Sequence, residues 1–351
     1  MSTVYAVIMA GGRGERFWPL STEERPKPFV PLTGPVTLLQ ETVARIRPLF
    51  PLERIFIALG EKHREIASSQ VPEVPPANFI VEPLGRDTAG CIGLSALYLA
   101  QRDPGAIMLA LPADHFIADP EQFRQTILTG IENLEGSTGI VFGIRPDRPE
   151  TGYGYVRAEK PAVRAAAWPV LRFVEKPDAA KAVEYVRSGT YFWNSGMFLW
   201  RNSTLLALFE KHMPAVSRAL NEIRPLLARE DARGEVARIF SSLPRISIDY
   251  GILEKTSGLR LVPAGYHWDD IGNWASLART VRADSSGNIT HGMAVPVQSN
   301  NCILLCEDGS VALFGVSDLV VVKARDRVLV CNRERASELK TLLSSLPEEM
   351  R

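Results

Sequence analysis

The chain has 351 residues, 46% hydrophobic and 23% charged, enough to bury one large core or two smaller ones, and the composition of a globular protein rather than a disordered one. Lys plus Arg equals Asp plus Glu, 40 each, which excludes a generally basic binder of nucleic acid or anionic membranes and leaves room for a local basic cleft. No apolar run reaches membrane-spanning length, no signal-peptide pattern opens the chain, and Cys91, Cys302, Cys306 and Cys331 match no zinc spacing, so reduced thiols in a cytoplasmic protein are expected.

The first predicted element is a buried strand over 4–9, apolar and rich in β-branched residues. Gly11, Gly12 and Gly14 follow at once, with Arg13 and Arg16 among and after them. Glycines at a strand end allow positive φ and bring backbone N–H groups against a ligand. With two guanidinium groups beside them, they form an anion site suited to a polyphosphate, although a plain tight turn would use glycines too. Neither familiar phosphate loop fits. A P-loop needs Gly-Lys-Ser/Thr, but Gly14 precedes Glu15 and Arg16; a dinucleotide fingerprint needs a glycine where Phe17 stands. Lys27 lies between Pro26 and Pro28, which stiffen the chain around its ammonium.

Downstream, helices are expected over 37–47, 61–69, 87–101 and 121–134, and strands over 54–59, 78–82, 106–111 and 138–143. Strands alternating with helices of about a dozen residues predict a parallel sheet with helices on both faces, whose ligands sit beyond the carboxyl ends of the strands. Two more polar turns fall at such ends. In 82–89, Asp87 or Thr88 is the expected helix N-cap, and Glu82 has the chemistry to accept from the donor edge of guanine. In 111–115, Asp114 is either an oxygen ligand for Mg2+ or a surface residue starting a turn, and His115 is not expected to bind that metal.

From residue 151 the character changes. Thr151-Gly152-Tyr153-Gly154-Tyr155 mixes glycines with aromatics, as a hairpin or a ligand wall would. A strand over 170–175 ends in Glu175-Lys176-Pro177, and a helix over 178–187 follows. The aromatic strand over 191–200 is expected to be interrupted at Asn194-Ser195-Gly196, where the Asn needs a polar partner. Helices broken by Pro214 and Pro225 fill 202–228, and another covers 232–240. Asp249 reads as a structural carboxylate in the first turn of a helix. Of the adjacent pair Asp269 and Asp270, one must be paired or metal-bound if buried. After a turn-rich break at 284–288, short strands over 293–297, 302–305, 311–314, 319–323 and 328–331 recur every eight or nine residues and suggest a small β domain or β-helix fragment, closed by a helix over 335–346.

AGGRGERFWPLS with RPKPF, LPADH, TGYGY, VEKP, WNSGMF, SIDY and WDDIGNW together resemble the sugar-1-phosphate nucleotidylyltransferases, most closely the GDP-mannose pyrophosphorylases (mannose-1-phosphate guanylyltransferases). Pro28, Asp87 and Gly90 depart from the usual Gln, Asn and Pro of that pattern. The resemblance covers nearly the whole chain. It implies a Rossmann-like, mostly parallel mixed sheet over 1–283 and a small left-handed β-helix-like domain over 284–351, without the isomerase domain fused to some relatives. It implies transfer of GMP from GTP to α-D-mannose 1-phosphate, giving GDP-mannose and pyrophosphate, with Mg2+ and a homodimer, and with no nucleic-acid or membrane partner. By the same resemblance Arg16, Lys27 and Lys176 are catalytic; Ala10, Gly11, Gly12, Arg13, Gly14, Glu82, Arg86, Asp87 and Thr88 hold the nucleotide; Gly154, Glu175, Lys176 and Asn194 hold the sugar phosphate. Asp114 and Asp270 hold the metal, and Asp269 is the exposed neighbour. Two other readings stay open here: a sibling enzyme with another base or sugar, and a non-catalytic sensor of nucleotide-sugars, which would have no need of metal carboxylates.

Overall fold

The computed structural model describes residues 3–12, 15–161 and 165–350. In chain order come β1 (Val4–Met9), α1 (Leu38–Ile46), β2 (Ile55–Gly60), α2 (Arg64–Gln70), β3 (Phe79–Glu82), α3 (Asp87–Arg102), β4 (Ile107–Pro112), β5 (Phe116–Ile117), α4 (Pro120–Glu132), β6 (Gly139–Ile144), β7 (Tyr155–Ala158), β8 (Trp168–Val174), α5 (Ala179–Ser188) and β9 (Tyr191–Arg201). Then follow α6 (Asn202–His212), α7 (Pro214–Ile223), α8 (Arg233–Ser241), α9 (Ile248–Gly251), β10 (Leu259–Ala264), β11 (Trp268–Asp269), β12 (Ile289–His291), β13 (Ala294–Val297), β14 (Ile303–Cys306), β15 (Val311–Phe314), β16 (Leu319–Ala324), β17 (Arg327–Asn332) and α10 (Leu339–Ser345).

Nine strands form the central sheet in the order β3-β2-β1-β4-β9-β6-β10-β8-β7. Only β8 and β9 run against the rest, so the sheet is mixed but mostly parallel. Successive residues of β1 feed opposite faces, as a pleated strand requires: Tyr5 and Val7 join the core under α3, α6 and α7, while Ala6 and Ile8 join the one under α1 and α4. Helix starts follow local chemistry. Thr37 and Gln40 form a reciprocal capping box on α1, and Asp119 and Asp178 cap α4 and α5.

Three expectations need correction. Residues 191–201 make one unbroken strand; Gly196 takes φ +68° and a register shift against β6 absorbs the polar stretch. The α3 start has Arg86 at the cap position without a side-chain cap bond; Asp87 lies one residue inside with φ 60° and its carboxylate accepts from the Thr88 N–H at 2.7 Å. Asp269 is 0% exposed rather than an exposed neighbour. Strands β5, β10, β11 and β12 were not expected. β10 matters most, because it carries the sheet from β6 to β8.

The C-terminal part is β-helix-like. β12, β14 and β16 stack in parallel, β13 and β15 stack beside them, and β17 closes by pairing antiparallel to β16. Left-handed residues recur at equivalent corners, Gly292 and Gly309, Gln298 and Gly315, Asn301 and Asp318. Each pair is 17 positions apart, so the eight- or nine-residue spacing of the strands is half a coil. A third core joins this stack to the start of the chain: Phe17, Trp18, Val30 and Leu32 pack with Ile271, Trp274, Ile303, Val320 and Leu339.

Candidate active site

Ala10 ends the run of β1 by donating its N–H to the Ala58 carbonyl at 2.8 Å. Gly11 and Gly12 are exposed beyond it, and Gly12 takes φ +112°, the positive value expected of the loop. Arg13 and Gly14 lie outside the described residues. A 3-10 turn, Glu15–Phe17, follows and buries Phe17. A second 3-10 turn, Lys27–Phe29, begins at Lys27; Pro28 sits inside it, where its missing N–H costs nothing.

These turns line a cavity of about 390 Å3 with Arg16, Lys27, Asp114, Asp270 and Lys340 on its walls. Lys27 is only 7% exposed. Its ammonium donates to Asp114 Oδ2 at 2.9 Å and to the Asp270 backbone carbonyl at 2.5 Å, so it ties the end of β4 to the end of β11. Burial pushes the Asp114 carboxyl up, but the Lys27 ammonium and His115 outweigh it and hold it below the usual range. His115 is held neutral: burial lowers its pKa, and its Nδ1 accepts from the Trp268 indole at 3.2 Å.

Asp270 is positioned by the protein. The Tyr153 hydroxyl donates to its Oδ1 at 2.6 Å, and Arg148 donates to that hydroxyl at 3.3 Å. Burial and the neighbouring Asp270 keep the Tyr153 phenol protonated, with its pKa far above normal. Asp269, next in the chain, points the other way and is bound by Arg279 Nε at 2.6 Å and by the Ile271 N–H at 2.8 Å. Adjacent carboxylates in extended backbone face opposite sides, which separates the structural Asp269 from the cavity-lining Asp270.

A second cluster starts one residue after Tyr153. A Cβ on Gly154 would overlap Glu175 Oε2, so only glycine leaves that oxygen its place. Glu175 Oε2 is buried without a hydrogen-bond partner, while Oε1 lies 3.3 Å from the Lys176 ammonium. Burial first, and then the charge of Asp249, raise the Glu175 carboxyl to about 7. The Asn194 amide donates to Asp249 Oδ1 at 2.7 Å and its Oδ1 accepts from the Gly196 N–H at 3.0 Å. Asp249 does sit in the first turn of α9, as expected, and supplies the partner Asn194 needed.

The four remaining sequence candidates are gathered at the end of β3 but do not line the cavity. Glu82 is buried, and burial raises it to about 7 beside Cys91. Arg86 donates to the Ser241 carbonyl, and Thr88 Oγ1 accepts from the Ile248 N–H at 2.8 Å. The reading from sequence missed Tyr153 as the holder of Asp270, Arg148, Arg279, Asp249 as the holder of Asn194, and Lys340. Tyr153 had a signal, its place between two glycines; Arg148 and Arg279 are near their partners in sequence but carry no motif, and Asp249 and Lys340 lie too far along the chain for any spacing to show.

A family profile described as nucleotidyl transferase matches residues 5–287, and one described as a MannoseP isomerase/GMP-like beta-helix domain matches 292–346. The chain is 37% identical over 363 residues to the mannose-1-phosphate guanylyltransferase of Escherichia coli, covering 100% of this chain and 75% of that one. It is 38% identical over 354 residues to the xanthan biosynthesis protein XanB of Xanthomonas campestris, covering 99% and 74%. Among solved structures it is similar to one from Thermus thermophilus named mannose-1-phosphate geranyltransferase, at 40% identity and a TM-score of 0.88, covering 97% of this chain and 98% of that one.

Proposed function

This chain belongs to the nucleotidyl transferase family, and from that premise we propose that it transfers GMP from GTP to α-D-mannose 1-phosphate, giving GDP-mannose and pyrophosphate. The observation that carries the reading is the junction of two unlike clusters at consecutive residues. Tyr153 holds Asp270 on the wall of a cavity rich in cations and carboxylates, and Gly154 faces Glu175 in a cluster with an unpaired buried acceptor. One half suits a polyphosphate and the other suits sugar hydroxyls. The choice of guanine and mannose rests on the likeness to the guanylyltransferases.

In this reading a phosphate oxygen of the sugar phosphate attacks the α-phosphorus of GTP in line. A P–O bond forms there, the bond to the oxygen bridging to the β-phosphorus breaks, and pyrophosphate leaves with the electron pair. The nucleophile is already an anion, so no Ser–His pair or general base is needed, and catalysis is positioning and charge neutralisation. Arg16, Lys27 and the N–H groups of Gly11, Gly12, Arg13 and Gly14, after Ala10, stabilise the departing pyrophosphate. Lys176 holds the incoming phosphate; Glu175, Asn194 and the Gly154 backbone take the sugar. Glu82, Arg86, Asp87 and Thr88 form the base-recognition loop, with Glu82 accepting from the guanine edge once ionised.

Asp114 and Asp270 fit Mg2+. That ion takes oxygen ligands, keeps several waters, and is held by one or two carboxylates together with substrate phosphates. Among the described residues no group of three or more His, Cys, Asp or Glu is placed to hold a metal by itself, so phosphate oxygens would complete the shell. When bound, the ion supplies charge neutralisation on the phosphates. EDTA should abolish pyrophosphate release, Mg2+ should restore it, and Asp114→Asn should lower turnover by about 100-fold or more; full turnover in EDTA would remove the metal from the account.

We read 1–283 as the catalytic unit and 284–351 as a small C-terminal unit. A cytoplasmic setting suits four free cysteines and nucleotide substrates. A homodimer suits the apolar outer face of the β13–β15 pair, where Val295, Val297 and Phe314 are exposed.

A further inference from the structure

We propose that Lys340, on the C-terminal helix α10, is a third cation of the polyphosphate cavity and binds the pyrophosphate end of the nucleotide; this rests on the reading of the cavity as the nucleotide site. Lys340 lines that cavity together with Arg16 and Lys27. The three cations are not equivalent. The Lys27 ammonium is committed to Asp114 and to the Asp270 carbonyl. Arg16 reaches the Gly272 carbonyl at 3.5 Å, the outer limit of a hydrogen bond. Lys340 is exposed, and among the described residues no ion-pair partner is found for it. A departing pyrophosphate carries several negative charges and needs more than one cation to match them.

The position of Lys340 follows from packing. Phe17 and Leu339 are buried in one apolar cluster with Trp18 and Leu38. Arg16 precedes Phe17 and Lys340 follows Leu339, so burying the two apolar residues together brings the two adjacent cations to the same cavity wall. Two polar contacts hold the C-terminal part against the same segment. Arg25 pairs with Glu307 at 2.5 Å, and the Trp18 indole donates to the Met350 carbonyl at 3.1 Å. The C-terminal part therefore does more than support the fold: its docking onto the glycine loop's flank completes the phosphate site.

The test is calorimetric binding of inorganic pyrophosphate to the full chain, as wild type, Lys340→Ala and Lys340→Arg, alongside steady-state kinetics. Lys340 is exposed, so neither variant removes a buried contact. Lys340→Ala should weaken pyrophosphate binding roughly tenfold and raise KM for GTP while leaving KM for mannose 1-phosphate unchanged, and Lys340→Arg should restore most of the affinity. Equal pyrophosphate affinity of Lys340→Ala and wild type, or no binding by wild type, would overturn the inference. Wild type that binds pyrophosphate but turns over no GTP with any sugar phosphate would overturn the proposed reaction and leave the role of Lys340 to be decided by binding alone.

Discussion

Lys27 is held rather than displayed. A buried ammonium between a carboxylate and a carbonyl keeps its place before any substrate arrives, which is the preorganisation that charge stabilisation requires. Lys27→Ala should cut kcat by about 100- to 1,000-fold, the range seen when one preorganised donor is lost. The fold should survive, since Asp114 retains access to solvent. Wild-type kcat in that variant, measured at saturating substrates, would sink the role. Glu175 gives a second prediction. Its carboxyl, raised by burial and by Asp249 from 4.5 to about 7, binds a proton in the folded chain over a range where the unfolded chain has released it. Stability is therefore lost as pH rises from about 4.5 to 7, on the order of 3 kcal/mol for this group. Glu175→Gln removes that penalty, so its gain in Tm over wild type should grow across this window and level off above it, while kcat/KM for the sugar phosphate falls. A Tm difference independent of pH would contradict the assignment. At this scale the sequence was legible for placement where a residue's type and its place in a motif agree: Lys27 and Asp114 come together on one cavity wall, and Asn194 has the polar partner it needed. It was not legible for Asp269, whose partners Arg279 and Arg148 meet it only after folding.

Among elements, the strands that read most clearly are those buried on both faces, β1, β2 and β4, whose continuous apolar runs need no partner to be recognised. β10 escaped because Arg260 and Pro263 break its apolar run; its pairing with β6 and β8 supplies what the local pattern lacks. β9 looked interrupted because Asn194 and Ser195 are polar, yet both are satisfied inside the fold, Asn194 by Asp249 and Ser195 by the Phe142 carbonyl. Two departures from the family pattern have local structural correlates. Asp87 occupies a left-handed conformation that Asn and Asp both tolerate, and Gly90 packs where a Cβ would crowd Arg86 and Phe240. The approach to β7 carries the sharpest prediction. Gly154→Ala forces its methyl onto Glu175 Oε2, so KM for mannose 1-phosphate should rise at least roughly tenfold with KM for GTP little changed. Parallel changes in both constants would mean the glycine serves the fold and not the sugar cluster.

For the whole molecule, segments more than 300 positions apart meet at one site: the glycine loop leads into the 3-10 turn Glu15–Phe17, and α10 packs on that turn. No reading of local pattern could join residues more than 300 positions apart, which is why nothing in the sequence tied Lys340 to the glycine loop. The outer face of the β13–β15 pair makes an independent prediction. Phe314, 73% exposed among neighbouring valines, should lie in a contact between two copies, so the wild type should sediment as a dimer and Phe314→Glu as a monomer; a monomeric wild type would reject that contact. Both the reaction and its substrates are decided by Mg2+-dependent pyrophosphate release with GTP, ATP, dTTP and UTP offered in turn against mannose 1-phosphate and glucose 1-phosphate. Strong preference for GTP with mannose 1-phosphate is expected. Preference for another pair would contradict the substrate assignment while keeping the phosphate chemistry, and no release with any pair, alongside measurable binding of GDP-mannose, would contradict the enzymatic claim itself.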